Sequence, residues 1–147
     1  MKKFTTVAHS IHEVLNEASR DGILSLVVYI INKGPRINLG SSLELASEYG
    51  HLNVVKYLVE KGANIHWNDD EALRMASQYG HLEVVKYLIE KGADIHANDI
   101  QALTWAILNN HVEVVKYLIA ILGGKSEVLK WADKIQNKAI IKYLRNL

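Results

Sequence analysis

The 147-residue sequence contains no cysteine. Disulfides, Cys-ligated zinc, iron–sulfur clusters and a thiol nucleophile are therefore excluded, and nothing demands an oxidising compartment. A long apolar run is missing as well. The longest stretch, Ile23 to Ile31, is interrupted by Ser25 and Tyr29, and it has about half of the ~20 residues that a bilayer crossing needs. Met1-Lys2-Lys3 opens as a secretory signal would, but His9, Ser10, His12 and Glu13 arrive before any apolar core of useful length. Neither sign of charge dominates, with seventeen Lys and Arg against sixteen Asp and Glu. The remaining composition, 49% hydrophobic and 22% charged, is ordinary usage for one soluble domain, with the cytoplasm as its expected address.

The sequence repeats itself. Shifting Ser42–Glu71 onto Ala72–Gln101 gives twenty identities in thirty positions, including Tyr-Gly-His-Leu at 49–52 and 79–82 and Val-Val-Lys-Tyr-Leu at 54–58 and 84–88. A fixed period means that each unit repeats one supersecondary structure and buries its apolar face against the next. The unit recurs more weakly at 102–119. Upstream, Ala18, Gly22 and Tyr29 keep register at a spacing of 28, and downstream Trp131-Ala132 and Ile140 to Leu144 keep it at 26. The expected organisation is a lead-in at 1–13 and five units at 14–40, 41–70, 71–100, 101–127 and 128–147, the last a cap.

Within a unit the signals are helical. Ser41 with Glu44, Asn68 with Glu71 and Asn98 with Gln101 have capping-box spacing, in which two side chains satisfy backbone N–H groups at a helix start. Leu73, Ala76 and Ser77 form the inner stripe of a short helix, and Gly80 ends it at a positive φ that glycine adopts without steric cost. A second helix carries Leu82, Val85, Leu88 and Ile89 on one face. Helices this short are unstable alone, so stacking must supply the stability. Residues 127–147 contain no Gly or Pro and could form one helix, although Gln136-Asn137 in the turn register favours two.

Gly80-His81-Leu82-Glu83-Val84-Val85-Lys86-Tyr87-Leu88 and the exits Gly62-Ala63-Asn64-Ile65-His66 and Gly92-Ala93-Asp94-Ile95-His96 resemble the ankyrin repeat family from about residue 14 onward. The resemblance implies an all-α helix–turn–helix solenoid. The family's usual unit is about 33 residues, and the residues missing here fall between Gly62 and Leu73, so the β-hairpin fingers should be shortened or absent. The family's Thr-Pro-Leu-His start of the inner helix is replaced by Glu71-Ala72-Leu73-Arg74 and Gln101-Ala102-Leu103-Thr104. Such trimmed arrays are similar to those of giant DNA virus ankyrin proteins, which would place the chain in a host cytoplasm.

No catalytic constellation emerges. His51, His81 and His111 recur one period apart; stacked helices lie ~8–10 Å from each other, too far for ligands of one zinc at about 2.1 Å. An imidazole bonded to neighbouring backbone at each turn is expected instead. Gly123-Gly124-Lys125-Ser126 imitates the end of a phosphate loop, but the position of the loop's first glycine is Ile119 and no strand precedes it. The reading is a non-enzyme with no cofactor and no metal. Tyr29, Tyr57, Tyr87, Tyr117 and Tyr143 recur on the outer helices as a structural ladder, and the basic C-terminal segment is a solvated cap, so nucleic acid is not the expected partner.

Charge is segregated. Residues 1–39 sum to +2, residues 40–124 to −5 and residues 125–147 to +4. The resemblance implies that loops and outward inner-helix positions line a concave partner-binding face. These positions are Glu44, Glu48 and Tyr49; Trp67, Asp69, Asp70, Glu71, Arg74, Gln78 and Tyr79; and Ile100, Gln101, Thr104, Leu108 and Asn109. Five of the ten positions at which residues 42–71 and 72–101 differ lie there, and a Trp such as Trp67 can bury ~150–250 Å² in an interface or fold over the neighbouring loop. Trp105, at the Leu45 and Met75 position, is expected in the core. Ile107 and Leu108, in place of Ser77 and Gln78, either form an exposed patch or pack under the last unit, the second being favoured. The expected function is binding of a basic or mixed-charge segment of another protein by a monomer; a ubiquitin-ligase adaptor or host-subverting assembly factor is the alternative.

Overall fold

The computed structural model describes the backbone of residues 2–147 and the side chains of residues 10–147. Ten helices and no strand occur among the described residues: α1 (Lys2–Arg20), α2 (Leu24–Lys33), α3 (Gly40–Glu48), α4 (Leu52–Glu60), α5 (Glu71–Gln78), α6 (Leu82–Glu90), α7 (Ala97–Leu108), α8 (Val112–Ile121), α9 (Lys125–Lys134) and α10 (Lys138–Arg145). The lead-in expected at 1–13 lies largely outside the described side chains, and its backbone from Lys2 belongs to α1.

The thirty-residue period becomes columns of buried side chains. Leu43, Leu73 and Leu103 share one register, as do Ala46, Ala76 and Ala106, Val55, Val85 and Val115, and Leu58, Leu88 and Leu118; all are buried in one continuous core. Inner helices α1, α3, α5 and α7 pack on one another, and outer helices α2, α4, α6 and α8 form a second, looser layer. Outer helices of nine residues such as α4 are well below the ~12–15 residues at which isolated helices become marginal. The interfaces between units therefore hold them.

The inner-to-outer turns carry much of that interface. Gly50 and Gly80 sit at φ +76° and +78°, and the following His81 N–H closes the turn on Ala76 O at 2.8 Å. The imidazoles of His51, His81 and His111 reach back one unit, donating from Nε2 to the carbonyls of Arg20, Glu48 and Gln78 at 2.7, 2.8 and 2.7 Å. Each bond satisfies an orphan carbonyl at the end of the preceding inner helix. Each ring also packs against the preceding unit's glycine, so close that a Cβ on Gly50 would lie 2.4 Å from His81 Nδ1. The expected backbone role of these histidines is what the geometry shows.

The expected capping boxes are absent. Neither α3, α5 nor α7 has a side-chain cap hydrogen bond. Instead Asn68, Asp69 and Asp70 are all left-handed (φ 52°, 55°, 58°), and so are Asn98, Asp99 and Ile100 (φ 48°, 56°, 60°). A tight left-handed turn thus takes the place of a hairpin finger. The closing pair departs from the stacking rule. α10 rather than α9 packs mainly against α7, and α9 leans on α8 and α10. Residues 127–147 form two helices, not one.

Candidate functional site

The residues expected to face a partner divide into two sets. Asp70 and Ile100 do not face solvent at all; they are 4% and 1% exposed. Asp70 Oδ1 accepts from the Asp94 N–H at 2.8 Å and from His66 Nδ1 at 3.1 Å, so its carboxylate ties one loop to the next. Asn98-Asp99-Ile100 repeats the same turn, but the later unit has no Gly-Ala-Asp exit to supply the N–H; Ile fills the space with hydrocarbon instead. At the equivalent Gly40 the space is taken by the Trp67 indole, which a Cβ there would approach to 2.3 Å. Trp67 is therefore folded over the preceding unit, half-buried, and is not a free anchor.

Glu71, Arg74 and Gln101 are largely committed to each other. Arg74 donates to the Glu71 carboxylate, to the Gln101 side-chain oxygen and to Asn68 O, the last at 2.9 Å. This network bridges α5 to α7 and leaves both charged side chains mostly covered. Thr104 is also engaged. It accepts from Asn137 Nδ2 at 2.7 Å, and Asn137 Oδ1 caps α10 by accepting from the Ile140 N–H. Asn109 is exposed and donates to Trp105 O.

The open surface that remains runs along α3 and α5. Tyr49 and Tyr79 are 50% and 47% exposed, one below the other at the ends of the two helices. Glu44, Glu48 and Gln78 are partly exposed beside them, and Asp69 is exposed in the loop. Burial first, then the Glu71 and Glu48 carboxylates, push the Glu44 carboxyl above its ordinary value, with Arg74 opposing. Partial burial beside two other carboxylates therefore disfavours the Glu44 charge, with Arg74 offsetting part of the effect. Trp105 is half-buried outside the packed core, in register with Leu45 and Met75. The expected core placement of Trp105 does not hold: the three side chains make a half-buried apolar row on the inner-helix layer. Ile107 and Leu108 part company, Ile107 buried and Leu108 59% exposed.

On the outer layer the tyrosines pair with lysine stems. Lys56 Nζ lies 5.7 Å from the Tyr87 ring centre, Lys86 6.0 Å from Tyr117 and Lys91 5.5 Å from Tyr87, within cation–π range. Tyr57 OH donates to Asn32 Oδ1 at 3.1 Å. These contacts link neighbouring units through Tyr57, Tyr87 and Tyr117, whereas Tyr29 is 65% exposed. Among the described residues, no cluster of three or more His, Asp and Glu suited to a metal ion occurs, and no helix is long and apolar enough to cross a membrane.

Stacked helix pairs with interlocking turns define a helical-repeat scaffold. The sequence profile of the family described as Ankyrin repeats (3 copies) matches residues 15–99 and 68–128. The chain belongs to the ankyrin repeat family, whose members are generally protein–protein interaction modules and typically not enzymes. Comparison with characterised proteins finds no match.

Proposed function

We propose that the chain is a non-enzymatic binding module that holds a basic or mixed-charge segment of a partner protein on the face of α3 and α5. The observation that carries this reading is the pair of exposed tyrosines, Tyr49 and Tyr79, beside the carboxylates of Glu44 and Glu48. Tyrosine gives contact area at low entropic cost, and a carboxylate whose charge is disfavoured by burial and like neighbours gains from a partner's Lys or Arg. Because the helices on either side are locked by the His–carbonyl bonds, the surface is pre-formed and little ordering entropy is lost on binding. The interacting set is narrower than the whole variable face: Glu44, Glu48, Tyr49, Asp69, Gln78 and Tyr79, extended by the Leu45, Met75 and Trp105 row.

The test is selection of peptides from a random display library on the parent chain, followed by binding of the winners to a Tyr49→Ala, Tyr79→Ala double variant. Enrichment of Lys- or Arg-containing peptides, with affinity for the double variant lowered by about tenfold or more as for loss of an aromatic hot spot, supports the reading. Peptides without basic residues, or equal binding by both chains, remove it.

A further inference from the structure

The joint between the fourth and fifth units is built differently from the others, and it leaves an apolar groove. At three earlier joints an imidazole covers a glycine: His51 on Gly22, His81 on Gly50, His111 on Gly80. At the last joint the same positions hold Asn137 and Asn110, and the Asn137 amide turns away to Thr104 and Ile140. No imidazole stands at this joint. Since α10 packs on α7, a groove of about 370 Å³ lies between them, its floor mainly apolar from Ile107, Leu108, Ala139, Tyr143 and Leu147, with Lys142 and the amides of Asn110 and Asn146 on its walls. Leu108 replaces the polar Glu48 and Gln78 of the earlier units and is 59% exposed, so an apolar side chain stands in water where near-copies carry polar ones.

Charge identifies the occupant. α10 carries Lys138, Lys142 and Arg145, none of which takes part in an ion pair among the described residues, and residues 125–147 carry a net +4. We propose that this groove is a second docking site, separate from the α3–α5 face, for a short peptide segment with a Leu-sized apolar anchor flanked by carboxylates. The anchor buries against Leu108 and Tyr143 while the flanking acids meet the cations of α10; apolar burial supplies affinity, and the charges supply orientation and rate of encounter. The two surfaces of this chain therefore select partners of opposite sign.

Fluorescence anisotropy with short labelled peptides tests this: a leucine pair flanked by glutamates, the same pair flanked by lysines, and a glutamate-flanked alanine pair. The expected result is binding of the first, at least about tenfold weaker binding of the other two, and about tenfold loss for a Leu108→Gln chain, a change that restores the residue of the third unit at an exposed site. Lys142→Glu should weaken the glutamate-flanked peptide and narrow its advantage over the lysine-flanked one. A Tyr49→Ala, Tyr79→Ala chain should bind it unchanged, which separates this site from the proposed α3–α5 face. Absence of binding by the glutamate-flanked peptide, equal binding of the lysine-flanked one, or full retention by Leu108→Gln overturns the assignment. So does a dimer in sedimentation that Leu108→Gln dissolves, since that gives the groove to a second copy.

Discussion

Gly50→Ala and His81→Ala, singly and together, test whether the array is held at its Gly–His joints. In the single Gly50→Ala chain the new methyl group meets two obstacles. The residue keeps φ +76°, which costs an L-residue about 1–2 kcal/mol, and its Cβ lies 2.4 Å from the His81 ring, an overlap that costs about 1–3 kcal/mol in a packed site. His81→Ala removes the bond to Glu48 O at 2.8 Å, worth about 0.5–1.5 kcal/mol. With the ring gone, however, the methyl at residue 50 has room and only the backbone strain remains. The double variant should therefore be less destabilised than the sum of the singles by about 1–3 kcal/mol, a coupling well outside the ~0.5 kcal/mol scatter of independent sites. Urea unfolding followed by far-ultraviolet circular dichroism and by tryptophan fluorescence gives the three free energies, with coincident transitions confirming two-state behaviour. Additive losses would refute the claim that ring and glycine form one interlocking joint.

Two further predictions concern groups that the fold leaves uncompensated. Ser77 is fully buried with its hydroxyl unbonded, so Ser77→Ala should leave stability unchanged or raise it by about 1 kcal/mol; a fall of that size in the urea midpoint analysis would show that the hydroxyl is bonded. Burial and the neighbouring Glu71 and Glu48 carboxylates raise the Glu44 carboxyl above its ordinary value. The folded chain thus binds that proton more tightly than the unfolded chain, and the resulting stability is full below the unfolded carboxyl value and lost as pH rises through the folded one. Glu44→Gln should be the more stable chain at neutral pH, with its advantage shrinking on acidification; a constant or reversed difference across that range refutes the assignment.

The sequence carries the repeat, the helix pairs and the Gly–His turns because each depends on side chains that recur at fixed spacing and face the core in every copy. The left-handed turns were hidden by the chemistry of their residues. Asn and Asp favour helix N-caps and also tolerate positive φ, so Asn68 and Asn98 fit a capping box and a left-handed turn equally well. Ile100 is harder still: a β-branched residue at φ +60° opposes its local preference and is held there by complete burial. The rotation of the closing pair has no local signal either. Trp131-Ala132 and Ile140 to Leu144 keep the repeat register, while the packing of α10 on α7 arises from contacts between units.

The positions edited between copies have two physical origins. One spatial position, occupied in turn by Gly40, Asp70 and Ile100, is filled by an indole from Trp67, by a carboxylate bonded to Asp94 N–H and His66, and by an aliphatic side chain. These are three solutions to one packing problem, and their differences say nothing about a partner. Arg74 and Gln101 likewise differ from Glu44 and Glu71 because they complete a bridge between α5 and α7. Tyr49 and Tyr79 behave in the opposite way: they are unchanged between copies yet half-exposed. In a stacked array, a side chain that varies is evidence for recognition only after its neighbours in the adjacent unit are known. A large aromatic side chain left half in water in successive units, beside partly buried carboxylates, is the stronger indication of a surface built to be covered.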